Sequence, residues 1–392
     1  MNARTIIIIG LTLTTALAAS VALAADEWTE TIAVEPGQRI EVKARAGGSL
    51  EVEAWNRDSV RITCEDRTND LSDYDFKLRE TRSGLKFEAI LTDDDIQNIS
   101  LRIHLMVPRE FDIDLESGGG GITIDGVTGT FEGRTAGGGI TLTNVKGEAD
   151  LKTGGGWIGI SDSELDGKVS SGGGGALVEN VVGDVRVTSG GGNVEYKNVR
   201  KDSGDLRAPG HLSAKGVNEG TVMYSSAGGA IRVKEAPEGA VVKTGGGNVT
   251  VRNAEKFVRA STGGGSIAIE VRNGIVEART GAGEIEVEVD GGFGHADVDD
   301  DAIYLTTGHG DITLILPEDL SIELDLDLAY TRNSRHDFEI ISDFDIDEER
   351  TQEWDTEHGT PRKHVYGTAE INGGKYKVVV RVVNGDIRVE TR

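Results

Sequence analysis

Four closely spaced aspartates are the clearest candidates for metal chemistry in this sequence. They are Asp297, Asp299, Asp300 and Asp301. Hard carboxylate oxygens are the ligands that Ca²⁺ prefers in proteins. Acidic surface loops without a metal have the same composition, so a solvated loop is the alternative interpretation. We therefore expect either a calcium site or a solvated loop at these residues, and no other cofactor.

Glycine clusters such as residues 118–121 could be taken for phosphate-binding loops. No Gly-Lys-Ser/Thr motif follows them and the pattern starts no helix, so we interpret them as corners of the chain. They also differ from calcium-binding β-rolls, which place Asp at the sixth position of each repeat, because that position here holds Thr123. The seven histidines have no spacing typical of metal ligands.

Paired carboxylates are the groups that a polysaccharide-cleaving enzyme would need. On a β-helical fold such an enzyme would hold an acid and a base together in a cleft on one face. The chain contains 67 Asp and Glu residues, so carboxylate pairs arise by chance, and its repeats are too short to build a walled cleft. We therefore predict that the protein is not an enzyme, and keep a polysaccharide-active β-helix enzyme as the alternative.

The charge of the chain restricts its partners. Only 41 Lys and Arg residues oppose the acidic ones, and the formal net charge is −26. A field of this sign repels phosphate backbones and anionic lipid headgroups, which argues against binding to nucleic acid or to a membrane surface. The expected partner is an envelope polymer, a glycan or a protein.

A Ser or Thr recurs every 18 residues immediately before a glycine cluster. The series passes through a degenerate copy at Arg207, slips by one residue at Ser226, and ends at Thr307 after a spacing of 27, which implies a nine-residue insertion. A constant period indicates stacked structural units. The regular members are Ser117, Thr135, Thr153, Ser171, Ser189, Thr244, Thr262 and Thr280.

Apolar residues occupy the fifth and seventh positions after each of these Ser or Thr residues, with mostly polar residues around them. Ile122 with Ile124 and Ile140 with Leu142 are examples. Alternation with period two indicates a half-buried strand, and a second, weaker alternating run follows in each repeat. We therefore predict an all-β fold, a parallel β-solenoid or β-helix with two-strand rungs of about 18 residues. An antiparallel sandwich is the alternative.

The chain divides into four predicted segments. Residues 1–24 have a basic start, an apolar run and a small-residue end, which is typical of a cleaved signal peptide; a retained membrane anchor is the alternative. We expect residues 25–116 to form N-terminal β rungs or a cap, and residues 117–316 to form the glycine-rich solenoid. Residues 317–392 should form a C-terminal β region with an exposed, partly mobile acidic excursion at about 332–364. No later segment is apolar enough to span a membrane, so we expect a periplasmic or cell-surface location.

Outward positions of the predicted rungs are the candidates for ligand binding. Trp157 is the most unusual of them, because an exposed Trp is a typical contact for sugars and proteins. The alternative for Trp157 is packing against the next rung. The other candidates are polar: Thr123, Thr141, Asn193, Glu195, Asn248 and Thr250.

The sequence resembles the bacterial DUF4097 family of β-strand-repeat, adhesin-like proteins. The resemblance rests on the repeated Ser/Thr-Gly-Gly-Gly-x-Ile-x-Ile motif, on residues 47–58 (GGSLEVEAWNRD), on Val107-Pro108 and on residues 384–388 (NGDIR). It covers nearly all of the chain beyond the predicted signal peptide. It implies a β-helical envelope protein and brings no catalytic residues.

These observations predict a secreted, non-enzymatic cell-envelope protein with an adhesin-like binding role or a structural role. A repetitive polar face would contact its partner through many weak interactions, which add together when they are linked. The enzyme alternative would instead require a cleft with clustered carboxylates of perturbed pKa.

Overall fold

β-Strands account for nearly all of the regular structure of this chain. Within the described residues, thirty strands belong to one large, mostly parallel sheet, and one short 3-10 helix spans Leu71–Asp73. The fold is therefore all-β, as predicted, and no described helix has the length and apolarity needed to cross a membrane. The predicted signal peptide lies outside the described residues. The computed structural model describes residues 27–35, 37–45, 47–93, 99–200, 222–294, 301–334, 337–356 and 359–392.

The N-terminal strands, as far as the chain is described, are β1 (Trp28–Ala33), β2 (Arg39–Ala44), β3 (Ser49–Trp55), β4 (Ser59–Glu65), β5 (Tyr74–Thr81), β6 (Gly84–Leu91), β7 (Arg102–Pro108) and β8 (Asp112–Ser117). β6, β2 and β8 pair in parallel in that order, and β7 pairs in parallel with β3. β1, β4 and β5 add antiparallel pairs at this end of the sheet. Such pairs cover the edge of the ladder, where an uncovered strand would pair with other chains.

The glycine-rich region forms β9 (Ile122–Asp125), β10 (Thr128–Thr135), β11 (Ile140–Thr143), β12 (Lys146–Thr153), β13 (Ile158–Ser171), β14 (Ala176–Val182), β15 (Val185–Ser189), β16 (Val194–Arg200), β17 (Val222–Ser226), β18 (Ile231–Val233), β19 (Ala240–Thr244), β20 (Val249–Thr262), β21 (Ile267–Thr280), β22 (Ile285–Asp290), β23 (Asp301–Thr307) and β24 (Ile312–Leu316). Successive repeats pair in parallel with a shift of 18 residues. Ile140 lies between Ile122 and Ile158 in the first strands, and Phe131 pairs with Ala149 in the second strands.

The predicted inward positions form the core. Ile140 and Ile158 are fully buried, and Ile267 is 1% exposed. Each packs between residues of the same position in the repeats before and after it. The equivalent inward residues of stacked repeats form columns through the core. β-Branched side chains suit such pleated, buried surfaces, which explains why Ile and Val dominate these columns.

Glycine is required at the sharper corner because neighbouring repeats approach each other closely. A Cβ added at Gly156 would lie 2.1 Å from the carbonyl oxygen of Gly138. A Cβ added at Gly155, the preceding residue, would meet nothing within 4 Å. Stacking of the backbone therefore excludes a side chain at the third glycine of the cluster but leaves room at the second.

The Ser or Thr before each glycine cluster is buried and bonds to the neighbouring repeat. The hydroxyl of Thr153 donates to the carbonyl of Gly138 at 2.7 Å, and that of Ser171 donates to Gly156 at 2.8 Å. The Thr153 hydroxyl also accepts from the Gly156 N–H at 3.0 Å. The recurrent hydroxyl thus joins one glycine corner to the next.

The described repeats on either side of residues 201–221 pair directly with each other. Val194 pairs directly with Ile231, and its N–H donates to the carbonyl of Ala230 at 2.9 Å. Residues 201–221, which contain the copy predicted to begin at Arg207, lie outside the described residues.

The ladder continues beyond the predicted nine-residue insertion, since Ile285 pairs with Ile312 and Ile312 pairs with Ile387. The last two strands of the chain thus form a further repeat. The described C-terminal strands are β25 (Ile322–Thr331), β26 (Ile340–Ser342), β27 (Asp347–Arg350), β28 (Arg362–Ile371), β29 (Tyr376–Val383) and β30 (Ile387–Thr391).

The acidic segment at about 332–364 differs in part from the predicted excursion. Within it, β26 pairs with β30, and β27 pairs with β28. Phe344 and Ile346 pack against the core, whereas every side chain of β27 is exposed. The apolar side chains anchor the segment to the end of the sheet, and the charges of β27 disfavour further pairing at its edge.

Candidate functional site

The outward side chains on the first strand of each repeat form a surface that we call the first-strand face. Thr141 lies between Thr123 and Gly159 because the strands pair in register. The side chain of Thr141 is exposed and that of Thr123 is half-buried. The sixth positions of the described repeats on this face are Thr123, Thr141, Gly159, Leu177, Glu195, Arg232, Thr250, Ala268, Glu286 and Thr313.

Trp157 is the most exposed large apolar residue in the described part of the chain, at 53%. Its ring does not point straight into solvent. A Cβ added at Gly175 would lie 2.6 Å from Cζ3 of Trp157, and one added at Gly159 would lie 3.8 Å from Nε1. The indole therefore extends across two glycines while it stays half accessible, which combines the two alternatives considered for this residue.

Asn193 and Asn248 are exposed on the same face but contribute to the ladder. The side-chain oxygen of Asn193 accepts from the N–H of Ala230 at 3.1 Å, and that of Asn248 accepts from Ser266 at 3.0 Å. β14 lies between Asn193 and the repeat of Trp157, and β18 lies between Asn193 and Asn248. The face thus brings Thr123, Thr141 and Trp157 together and leaves the two amides apart from them.

Glu195 and Thr250 also lie on this face, in its charged middle part. Glu195 pairs with Lys234 at 2.7 Å and with Lys197 at 3.9 Å. The hydrogen bond from Lys234 lowers the pKa of the Glu195 carboxyl, against a smaller opposing effect of burial. Thr250 is half-buried and pairs with Arg232 across the strands.

The longest part of the first-strand face without a charge at its fourth and sixth positions spans four repeats, and we call it the uncharged window. An ion pair between Arg102 and Glu51, at 3.3 Å, lies before it, and the pair between Lys234 and Glu195 lies after it. Its residues are Gly121, Thr123, Gly139, Thr141, Trp157, Gly159, Gly175 and Leu177.

A shallow cleft of about 330 Å³ lies on the second strands of the first repeats and was not predicted. Asp114, Glu132 and Asp150 line it at equivalent positions of successive repeats. Arg39 contacts Glu132 and lies 3.8 Å from Asp114. Burial raises the pKa of the Asp114 carboxyl, and the charge of Arg39 opposes that effect. The 18-residue spacing of these acids was the signal in the sequence.

A second cleft, of about 360 Å³, lies on the later repeats. Arg392 pairs with Glu288 at 2.9 Å, and Arg272 pairs with Asp290 at 3.3 Å. Arg252 also lies 3.4 Å from Glu270, so three of the five carboxylates that line this cleft are paired with arginines.

The candidate calcium ligands fall mostly outside the described residues, which omit Asp297, Asp299 and Asp300. Asp301 is exposed at the start of β23. Among the residues that the structure describes, no group of three or more His, Cys, Asp or Glu side chains is arranged to hold a metal ion. Calcium binding stays a prediction.

No family model matches this sequence, and no curated protein matches it either. Among solved structures, the chain is similar to a "putative adhesin" from Parabacteroides distasonis ATCC 8503, with 14% identity and a TM-score of 0.39 over 68% of this chain and 97% of the other. It is similar to a "putative adhesin" from Bacteroides fragilis NCTC 9343, with 14% identity and a TM-score of 0.28 over 67% and 98%. It is also similar to a "putative cell adhesion protein" from Clostridium sporogenes ATCC 15579, with 10% identity and a TM-score of 0.18 over 93% and 100%.

Proposed function

We propose that this chain is a non-enzymatic protein of the cell envelope that binds an extended partner through the first-strand face, in the manner of an adhesin. The observation that carries the proposal is Trp157, which is 53% exposed on a surface of small residues. Apolar surface of this kind marks interaction sites on proteins.

The proposed scaffold is a parallel β-solenoid of the DUF4097 type. The 18-residue shift between paired strands and the buried columns of Ile and Val support it. Parallel strands lie about 4.8 Å apart, so the stacked repeats would present a long and rigid face. Rigidity lowers the entropic cost of binding an extended ligand.

Export to the periplasm or the cell surface is part of the proposal. The basic, apolar and small-residue pattern of residues 1–24 supports cleavage of a signal peptide. The single cysteine, Cys64, is buried. The fold therefore needs no intrachain disulfide in an oxidising compartment.

Binding would be the sum of many weak polar contacts along the face. Different repeats present Thr141, Glu195 and Thr250 at the same position, so the chemistry varies while the position on the strand is constant. Linked contacts of this kind gain strength through effective concentration. The net charge of −26 should disfavour anionic polymers at low ionic strength.

The experiment is a binding and turnover screen with the chain from residue 25 onward. The protein is incubated with insoluble envelope material and with neutral and anionic polysaccharides, and both retention and released reducing ends are measured. We expect retention on at least one polymer without release of reducing ends. Release of reducing ends by the protein would contradict the proposal.

One observation favours the second candidate function, a polysaccharide-active enzyme. Asp114 has a raised pKa and shares its cleft with Glu132, which is the kind of pairing that acid catalysis uses. If the screen detects turnover, Asp114→Asn and Glu132→Gln should abolish it. Activity that survives both substitutions would remove this cleft as the catalytic site.

A further inference from the structure

We infer that the uncharged window is a subsite for a neutral glycan, with the Trp157 indole stacked on a pyranose ring. This inference rests on the proposed function and names the ligand class of the same face. A pyranose ring has a face of C–H groups and a rim of hydroxyls, so it needs a flat aromatic surface with uncharged polar groups beside it.

The uncharged window is the longest run of described repeats on the first-strand face without a charge at the fourth and sixth positions, and charge returns at the eighth positions with Asp125 and Glu179. In a chain with 28% charged residues, the eight positions of the uncharged window hold only Gly, Thr, Trp and Leu. The second strands of the same repeats present charges outward, for example Glu132 with Arg134 and Asp150 with Lys152. A charged ligand would find partners on the second strands and none in the window, whereas a neutral one would lose nothing there.

Glycine provides the space that the indole occupies. Gly159 is the only glycine among the sixth positions of the described repeats, and the Nε1 edge of Trp157 lies next to it. A glycine inside a strand weakens the strand and often marks close approach of a ligand. Gly175 leaves room for the six-membered ring in the same way. The Trp therefore lies along the surface and remains 53% exposed.

Threonine hydroxyls beside the ring are available to a ligand. Among the described residues, the hydroxyls of Thr123 and Thr141 have no hydrogen-bond partner in the protein, whereas the Thr143 hydroxyl accepts from Ser161 at 3.4 Å. Thr141 also lies beside the indole, since both are within 4.0 Å of a Cβ added at Gly159. The sugar hydroxyls would bond to Thr141 and Thr123 while the ring stacks on Trp157.

The order of the repeats sets the direction of the bound chain. Thr123, Thr141 and the Trp157 repeat succeed each other across the strands, with steps of about 4.8 Å. A linear glycan would therefore run along the stack, perpendicular to the strands, and three to four sugar rings would cover the window. Affinity should rise with chain length up to this limit and then level off.

The test is a titration of the chain from residue 25 onward with neutral oligosaccharides. The panel contains β-1,4-, β-1,3- and α-1,4-linked glucose oligomers of two to six rings, linear mannan and galactan oligomers, and N-acetylglucosamine oligomers, with polygalacturonate as the anionic control. Trp157 is the most exposed of the four tryptophans, so its fluorescence should change on binding. We expect at least one neutral series to bind with an affinity that rises to about four rings, and polygalacturonate to give no change at low salt.

Two substitutions and one control assign the subsite. Trp157→Ala should weaken binding at least tenfold, and Thr141→Asp should weaken it similarly because it places a charge in the window. Ile341→Ala, which removes another exposed apolar side chain at 42% exposure, should leave affinity unchanged. Melting curves check that each variant is folded.

The outcomes separate this inference from the proposed function. If the wild type binds an envelope polymer and Trp157→Ala binds it equally well, the subsite is wrong and the proposed function stands. Binding only to anionic polymers or to a protein, or to no member of the neutral panel, would also overturn the inference. Turnover of a bound glycan would overturn the proposed function itself.

Discussion

The hydroxyl of Thr153 donates a 2.7 Å hydrogen bond to the carbonyl of Gly138, which lies 15 residues earlier in the preceding repeat. Thr135 bonds to Gly120 and Ser171 bonds to Gly156 with the same spacing. Thr153 itself is only 5% exposed. A buried hydroxyl therefore finds a backbone carbonyl as its partner at these glycine corners, which is the requirement that burial places on polar groups.

Removing one of these hydroxyls should lower the stability of the fold, because the backbone groups that bond to the hydroxyl lose their hydrogen-bond partner. In Thr153→Val, the Gly138 carbonyl and the Gly156 N–H lose their partner. We expect a loss of about 1–3 kcal/mol in the free energy of unfolding, measured by urea denaturation. Thr188→Val, on an outward side chain of the next repeat, is the matched control and should change stability by less than about 0.5 kcal/mol. Equal effects of the two variants would contradict the role of the buried hydroxyl.

Adjacent glycines of one cluster should tolerate alanine very differently. Gly156→Ala places a Cβ 2.1 Å from the Gly138 carbonyl oxygen, so the repeats must separate, at a cost of about 3 kcal/mol or more. Gly155→Ala meets nothing within 4 Å and should be neutral or stabilising by up to about 1 kcal/mol. Thermal unfolding of the two variants measures the difference. A Gly156→Ala variant as stable as Gly155→Ala would show that the repeats do not stack as described.

The inward register can be tested with a buried charge. Ile158 is fully buried between Ile140 and Ala176, so Ile158→Asp should cost about 4 kcal/mol or more and reduce secretion. Thr143→Asp places the same group at an outward position one repeat earlier and should be tolerated. Soluble expression and melting temperature of both variants provide the readout. A heat-stable Ile158→Asp protein would refute the register.

Asp66 should make the N-terminal strands sensitive to acid. Burial would raise the pKa of this carboxyl, but hydrogen bonds from Ser100, Tyr74, Thr68 and Asn69 together outweigh burial and lower the pKa to about 2. An Asp pKa that is lower in the folded state contributes stability above its unfolded value, near 3.8, and that stability is lost as the pH falls toward the folded value.

The measurement is the melting temperature of the wild type and of Asp66→Asn between pH 2 and pH 6. We expect Asp66→Asn to be less stable at pH 6 and the gap between the two proteins to close as the pH falls from about 4 to about 2. A gap that does not change with pH would show that the Asp66 carboxylate contributes no charge-dependent stability.

The sequence predicted which side chains point into the core better than it predicted the backbone conformation at the corners. Alternation identified Ile140 and Ile158 as inward, because period two is a local property of the chain. The second corner of the repeat is different, because Asn144, Asn180 and Asn198 adopt positive φ angles of 53°, 54° and 49° there. Asn tolerates this conformation because its short side chain bonds locally, and Asn198 donates to Asn180 in the preceding repeat at 2.9 Å. Their spacing in multiples of 18 residues was visible in the sequence, but their hydrogen bonds depend on the stacking of the repeats.

The candidate site was predicted in part. The alternation of inward and outward residues predicted that Thr123, Thr141 and Trp157 lie on one face. This was possible because the constant repeat length sets the pairing register of the strands. The approach of the indole to Gly175 and the cleft at Asp114 depend on side-chain contacts between repeats. Periodicity along a single chain does not contain that information.

Hydroxyl-radical footprinting of the wild-type protein bound to its captured polymer tests the central claim most directly. Oxidation of each side chain is compared in the free and bound states by mass spectrometry. The account predicts protection of Trp157 and Leu177 in the uncharged window, with Arg134 and Lys152 at the Asp114 cleft unchanged. Protection confined to the cleft, with Trp157 oxidised equally in both states, would contradict the claim that the first-strand face is the functional surface.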